Sequence, residues 1–110
     1  MNSVFEAEIT RLHAEICGGL ADPTRIMLLY ELSTGSKNVN ELASLLNLPQ
    51  SLTSRHLKIL RERSMVTTER QGTVVIYSLA DVRLIQALDL LRDVMRDGLV
   101  KRAELMNALK

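Results

Sequence analysis

Residues 49–66, PQSLTSRHLKILRERSMV, set short polar groups and cations among leucines. Gln50, Ser51, Thr53, Ser54 and Arg55 carry amide, hydroxyl and guanidinium groups. These can pair with base edges in a DNA major groove about 12 Å wide. They fall in the first turns of a helix starting after Pro49, the part of a recognition helix that approaches the bases. Lys58 lies farther along, where an ammonium meets phosphate. Leu52, Leu57, Ile59 and Leu60 are available for packing, so the stretch is expected both to pack and to read.

Other chemistry is sparse. His13 and Cys17 are spaced i, i+4 and share a helix face, which allows two metal ligands or a redox-sensitive thiol. The alternative is a cysteine serving as a small buried hydrophobe and a histidine filling a helix junction. His56 reads as a packing or phosphate-contacting residue. With one cysteine there is no intramolecular disulfide and no paired CxxC zinc spacing, so no metal or cofactor is expected. A catalytic reading lacks a nucleophile beside a histidine and an acid, and lacks a glycine-rich phosphate cradle after a strand. Only 3% of residues are aromatic, too few to line a pocket, and no enzyme is expected.

Net charge is +1, from 14 basic and 13 acidic residues, so bulk charge does not mark a nucleic-acid binder. Its distribution is more informative. Residues 55–72 carry Arg55, Lys58, Arg61, Arg63 and Arg70 against Glu62 and Glu69, a local +3 that leaves −2 elsewhere. A chain of 110 residues, 46% hydrophobic, can build one core without staples. No basic start leads into an apolar run, and no segment approaches about 18 uncharged apolar residues. A cytoplasmic protein without a membrane segment is expected.

The elements that would position these groups follow from caps and periodicity. Ser3 and Glu6 have capping-box spacing, and Val4, Ile9, Leu12 and Ile16 recur at helical intervals up to Gly18 and Gly19. Asp22 caps a second helix with Pro23 in its first turn, and Gly35 stops it. Asn38 with Glu41 starts a third, ended by the NLP of 47–49. The helix after Pro49 then completes a helix-turn-helix over 38–63. MVTTER and TVVIYSL form a hairpin over 65–79 around Gln71 and Gly72. Asp81 caps a last helix through about Asp97, apolar nearly all round, with LVKRAELMNALK able to extend it or add a helix.

Helix, helix, helix-turn-helix, hairpin, helix is the order of a winged helix. LADPTRIMLLYEL, NVNELASLLNLPQSLTSRHLKILRERSMV and ERQGTVVIYSLAD, in this order and spacing, resemble the ArsR/SmtB family of dimeric bacterial transcriptional repressors, from about Gly19 to Asp81. The expected fold is mainly α with a small β-hairpin, in the order α-α-α-α-β-β-α, as a single winged helix-turn-helix domain over 1–110 that dimerises through terminal helices, 1–18 and 81–110. The resemblance implies a homodimer on double-stranded DNA with a roughly palindromic operator, its half-sites about one helical turn apart. It also implies a wing that reaches the backbone or minor groove, placing Arg70, Gln71 and Thr73 there.

Many relatives release DNA when a metal binds, but the places of one family site are Asn38 and Asn40, which supply no thiolate. In the other, Asp81 and Asp97 could stand for the acids, yet Arg83 and Val94 occupy the histidine places. A small-molecule or redox inducer remains open. Two local departures from the family pattern stand out: Pro49 replaces a capping Ser, and Ser64 a Gly after the recognition helix. The rival reading is a winged-helix protein-interaction module that does not bind DNA, since fold alone does not set function. Polar and cationic residues along 50–58, with Arg70, are more than hydrophobic docking needs.

Overall fold

The computed structural model describes residues 2–109. Helix α1, Ser3–Arg11, is capped by Asn2, whose side-chain oxygen accepts from the Val4 N–H at 2.9 Å. Ser3, expected as the cap, is instead the first helical residue. Asn2 offers an equally short acceptor one position earlier. The helix continues into a π-helical stretch, Leu12–Cys17, and stays helical through Gly19.

Helix α2, Pro23–Ser33, starts at Asp22, whose carboxylate accepts from the Thr24 N–H at 2.7 Å. That bond, more than any other influence, holds the Asp22 carboxyl below its ordinary pKa. Strand β1, Lys37–Asn38, leads into α3, Val39–Leu46. Here the capping box is complete. The Glu41 N–H donates to Asn38 Oδ1 at 2.8 Å and the Asn38 N–H donates to Glu41 Oε1 at 3.0 Å. Helix α4, Gln50–Glu62, has Pro49 at its N-cap and no side-chain cap bond. Strands β2, Val66–Gln71, and β3, Val74–Leu79, form the hairpin. Helix α5 spans Arg83–Ala108.

The sheet has three antiparallel strands in the order β1-β3-β2. β1 was not expected, because two residues carry no periodicity. It pairs Lys37 with Tyr77 and Asn38 with Ile76, tying the start of α3 to the hairpin. The core is built from Leu28, Leu29, Leu32, Leu42, Leu57, Leu60, Met65 and Val66, with Leu88 of α5 closing it.

One expectation about α5 is corrected, and one left open is decided. Val82, not Asp81, holds the N-cap position, although Asp81 Oδ1 accepts from the Arg83 N–H at 2.9 Å. The helix does not pause at Asp97 but passes Gly98 and ends at Ala108. One interior glycine costs about 1 kcal/mol relative to alanine, which the helix formers on both sides offset. At about 1.5 Å per residue the helix is about 39 Å long, far more than the core beneath it. Accordingly α5 buries only Leu88 and α1 buries no residue at all.

The Arg83 guanidinium, 2.7 Å from Asp81, and then the Arg83 N–H lower the Asp81 carboxyl from 3.8 to about 2. A depressed folded-state pKa means that Asp81 stabilises the fold above pH 3.8 and that this contribution is lost as pH falls toward 2. Asp81→Asn should therefore flatten the fall in melting temperature across that acid window and leave the slope above it unchanged. Ser64 sits at φ 59° and so carries left-handed strain. Ser64→Gly should stabilise the protein by about 1 kcal/mol, read as a raised denaturant midpoint at constant slope.

Candidate nucleic-acid interface

The turn between α3 and α4 is set by backbone chemistry. Asn47 ends α3 at φ 54°, a left-handed conformation that asparagine tolerates, and the Leu48 N–H reaches back to the Ala43 carbonyl at 2.9 Å. Pro49 then pre-sets the start of α4.

Helix α4 divides into two sides. Thr53, His56, Leu57 and Leu60, spaced i, i+3, i+4, i+7, are its buried residues. Gln50, Ser51, Ser54, Arg55 and Lys58 are exposed. Thr53, expected among the outward polar groups, is corrected: it is 0% exposed and its hydroxyl donates to the Pro49 carbonyl at 3.0 Å. That bond satisfies the group internally, and its helical position places it over the core. Among the two expected roles of His56, the structure favours packing. The ring is buried and its Nδ1 lies 3.2 Å from Arg25 Nη1.

The hairpin turns through Gly72 and Thr73, closed by Gln71 opposite Val74. Gly72 at φ 64° supplies the positive φ at the first turn position that a type II′ hairpin requires. Arg70, Gln71 and Thr73 are exposed. Because β1 joins β3, the wing leans over the start of α3. A cleft of about 350 Å³ lies between them, lined among others by Asn38, Asn40, Gln50, Ser54, Thr73 and Tyr77. The structure thus brings together Gln50, Ser54 and Thr73, while Ser51, Arg55, Lys58, Arg70 and Gln71 lie outside this cleft. Asn40 and Tyr77 were not among the expected contacts. Only the β1–β3 register places them there, and neither residue's neighbours in sequence signal it.

Cys17 and His13 are both exposed rather than filling a core. Among the described residues no three His, Cys, Asp or Glu side chains are grouped to hold a metal. Asp81, a possible acid of the second family site, is already paired with Arg83. The cationic excess counted above also shrinks on the outer side, because Arg63 turns back to the carbonyls of Ala14 and Glu15. No helix among the described residues is long and apolar enough to cross a membrane.

Two short helices joined by a tight turn, followed by a hairpin wing packed on the same core, define a winged helix-turn-helix protein. The chain belongs to the arsR family of bacterial regulatory proteins, whose sequence model matches residues 22–68. It is 35% identical over 77 residues to the arsenical resistance operon repressor of Bacillus subtilis, covering 69% of this chain and 73% of that one. It is 43% identical over 77 residues to the transcriptional repressor SmtB of Mycobacterium tuberculosis, covering 70% of this chain but 57% of that relative. In structure it is similar to a homodimeric winged helix-turn-helix DNA-binding domain from Mycobacterium bovis, with a TM-score of 0.76 over 90% of this chain and 91% of that one. At 22% identity this last likeness speaks for the fold alone.

Proposed function

We propose that residues 1–110 form a single cytoplasmic DNA-binding unit, a homodimeric transcriptional repressor on a roughly palindromic operator. The observation that carries this reading is the division of α4: a side committed to the core and an outer side of amides, hydroxyls and cations, flanked by a wing. Gln50, Ser51, Ser54 and Arg55 read base edges, and Lys58 meets phosphate. Arg70, Gln71 and Thr73 hold the backbone beside the groove. The names of the relatives, both repressors, agree with this role.

Dimerisation is supported by apolar side chains that the chain leaves open on both terminal helices. Val4, Phe5 and Ile9 of α1, Leu12 just after it, and Leu90, Leu91, Val94 and Met95 of α5 are exposed. Exposed apolar side chains on both terminal helices fit a two-fold partner. An inducer, a small molecule or a redox change, would act by favouring a dimer geometry in which both recognition helices no longer match their half-sites. Cys17, with His13 four residues before it, is the chain's single thiol for the redox route.

The test is fluorescence anisotropy on DNA from upstream of the protein's own gene and on a shuffled duplex, across a salt series. Tight binding to the first, loose binding to the second and a steep salt slope are expected. Ser54→Ala or Arg55→Ala should lower discrimination by about 1–3 kcal/mol, whereas Arg70→Ala should weaken both duplexes and reduce the salt slope by about 1. Equal losses on both duplexes in all three variants would overturn the assignment of readers and positioners. No binding even at low salt would favour a protein-interaction role.

A further inference from the structure

Four unusual features of this chain meet at one place: the π-helical end of the first helix, the glycine pair after it, the left-handed Ser64, and two guanidiniums that arrive from other elements. Arg63, the C-cap residue of α4, donates from Nη1 to the carbonyls of Ala14 and Glu15. Arg25 of α2 donates from Nε to the Gly19 carbonyl at 2.8 Å and from Nη2 to the Gly18 carbonyl at 3.3 Å. Its Nη1 lies 3.2 Å from His56 Nδ1 of α4.

Each contact has a clear cause. Carbonyls at a helix C-terminus bear partial negative charge and lack intrahelical donors, and guanidinium forks satisfy both needs. A Cβ on Gly18 would stand 2.8 Å from Arg63 Nη1, and one on Gly19 would stand 2.6 Å from Met65 Sδ, so a larger residue at either place would require these flexible side chains to shift. Ser64 at positive φ ends α4 while the Met65 N–H closes back on the Leu60 carbonyl at 2.9 Å, which leaves Arg63 to face α1. π-helical turns recur where a helix has a functional task. With Ile16 packed partly buried against the core, these polar bonds hold the C-terminal end of the first helix to the reading head.

We infer that Arg63, with Arg25 as its second strut, is a positioning residue for operator recognition: it fixes the angle between the dimerising helix α1 and the reading helix α4, and so the separation of the two reading helices in the dimer. The inference rests on the proposed DNA-binding dimer. Neither arginine touches DNA in this scheme. Their effect is confined to how sharply the dimer distinguishes one half-site spacing from another.

The experiment begins with wild-type protein and a random-sequence duplex library, from which the bound site is selected. Failure to select any site would overturn the function proposed above, independently of the struts. With a site in hand, binding is compared on that duplex and on versions with one base pair added or removed between half-sites. The ratio of the two affinities is the readout, because any loss of folded protein cancels in it. Arg63→Met should remain dimeric in sedimentation, keep the wild-type salt slope on shuffled DNA, and shrink the spacing penalty by about tenfold, a typical coupling between sites. Arg63→Lys, which keeps a cation able to reach one carbonyl, should restore part of the penalty, and Arg25→Lys should reduce it. An unchanged penalty in Arg63→Met, or in both lysine variants should Arg63→Met not fold, would overturn the inference.

Discussion

On the proposed dimer, Val94→Glu should shift the protein to a monomer. Val94 is 69% exposed in the single chain, and Leu90, Leu91 and Met95, each at least 60% exposed, share its broad face of α5. Burying one such side chain in each protomer is worth about 1.5–3 kcal/mol per copy, and the two-fold axis makes every substitution count twice. Losing both copies removes about 3–6 kcal/mol, which is roughly two to four orders of magnitude in the dimer dissociation constant. The introduced carboxylates add a desolvation cost in the same direction. Sedimentation should show a monomer at concentrations where the wild type is dimeric, with unchanged helical circular dichroism because Val94 is outside the core. Operator affinity should fall by a similar factor, since each monomer reaches one half-site only. A Val94→Glu protein that remains dimeric, together with a dimeric Leu91→Glu, would place the interface elsewhere.

Leu57→Ala should remove a large part of the fold's stability. Leu57 is 0% exposed on the inner side of α4, in the cluster that also holds Leu28, Leu42 and Leu60. Truncating a buried leucine costs about 2–5 kcal/mol, part transfer and part cavity, against a total of about 5–15 kcal/mol for a domain of this size. At constant slope the denaturant midpoint should drop in proportion, by at least about 13%. Site-specific DNA binding should be retained below the new transition, because Leu57 meets no solvent and hence no DNA. By contrast, Leu45→Ala, at a position 56% exposed, should shift the midpoint little. A small shift at Leu57 would mean that the core closes over the lost volume.

The order of helices, the turn at Asn47–Pro49 and the hairpin at Gly72 were all legible in the chain, because each depends on chemistry within a few residues. Asp22 and Asn38 cap where a short side-chain acceptor must, Gly72 takes the φ that a two-residue turn needs, and Leu57 and Leu60 repeat at the helical period. The outward character of Gln50, Ser54 and Arg55 was legible for the same reason. Thr53 was not, because its position at the edge of the apolar stripe and its bond to the Pro49 carbonyl depend on how α4 sits on the core. A helix start was misjudged where a neighbouring residue served as well, as Asn2 did for Ser3, and the course past Gly98, open between extension and a further helix, was decided by the flanking helix formers.

By itself, then, the sequence determined the family, the elements and the two sides of α4, since caps, turns and periodicity act over one or two helical turns. Only the tertiary structure decided which distant groups meet. The pairing of Asn38 with Ile76 brings Asn40 and Tyr77 to the cleft beside Gln50, and the contacts of Arg25 and Arg63 clasp the first helix to the fourth. Arg63 and Ala14 are 49 positions apart. Nothing local distinguishes an arginine that faces phosphate from one that caps a helix, because both satisfy the same guanidinium with oxygen, and it is the packing of the core that sets which oxygen lies within reach.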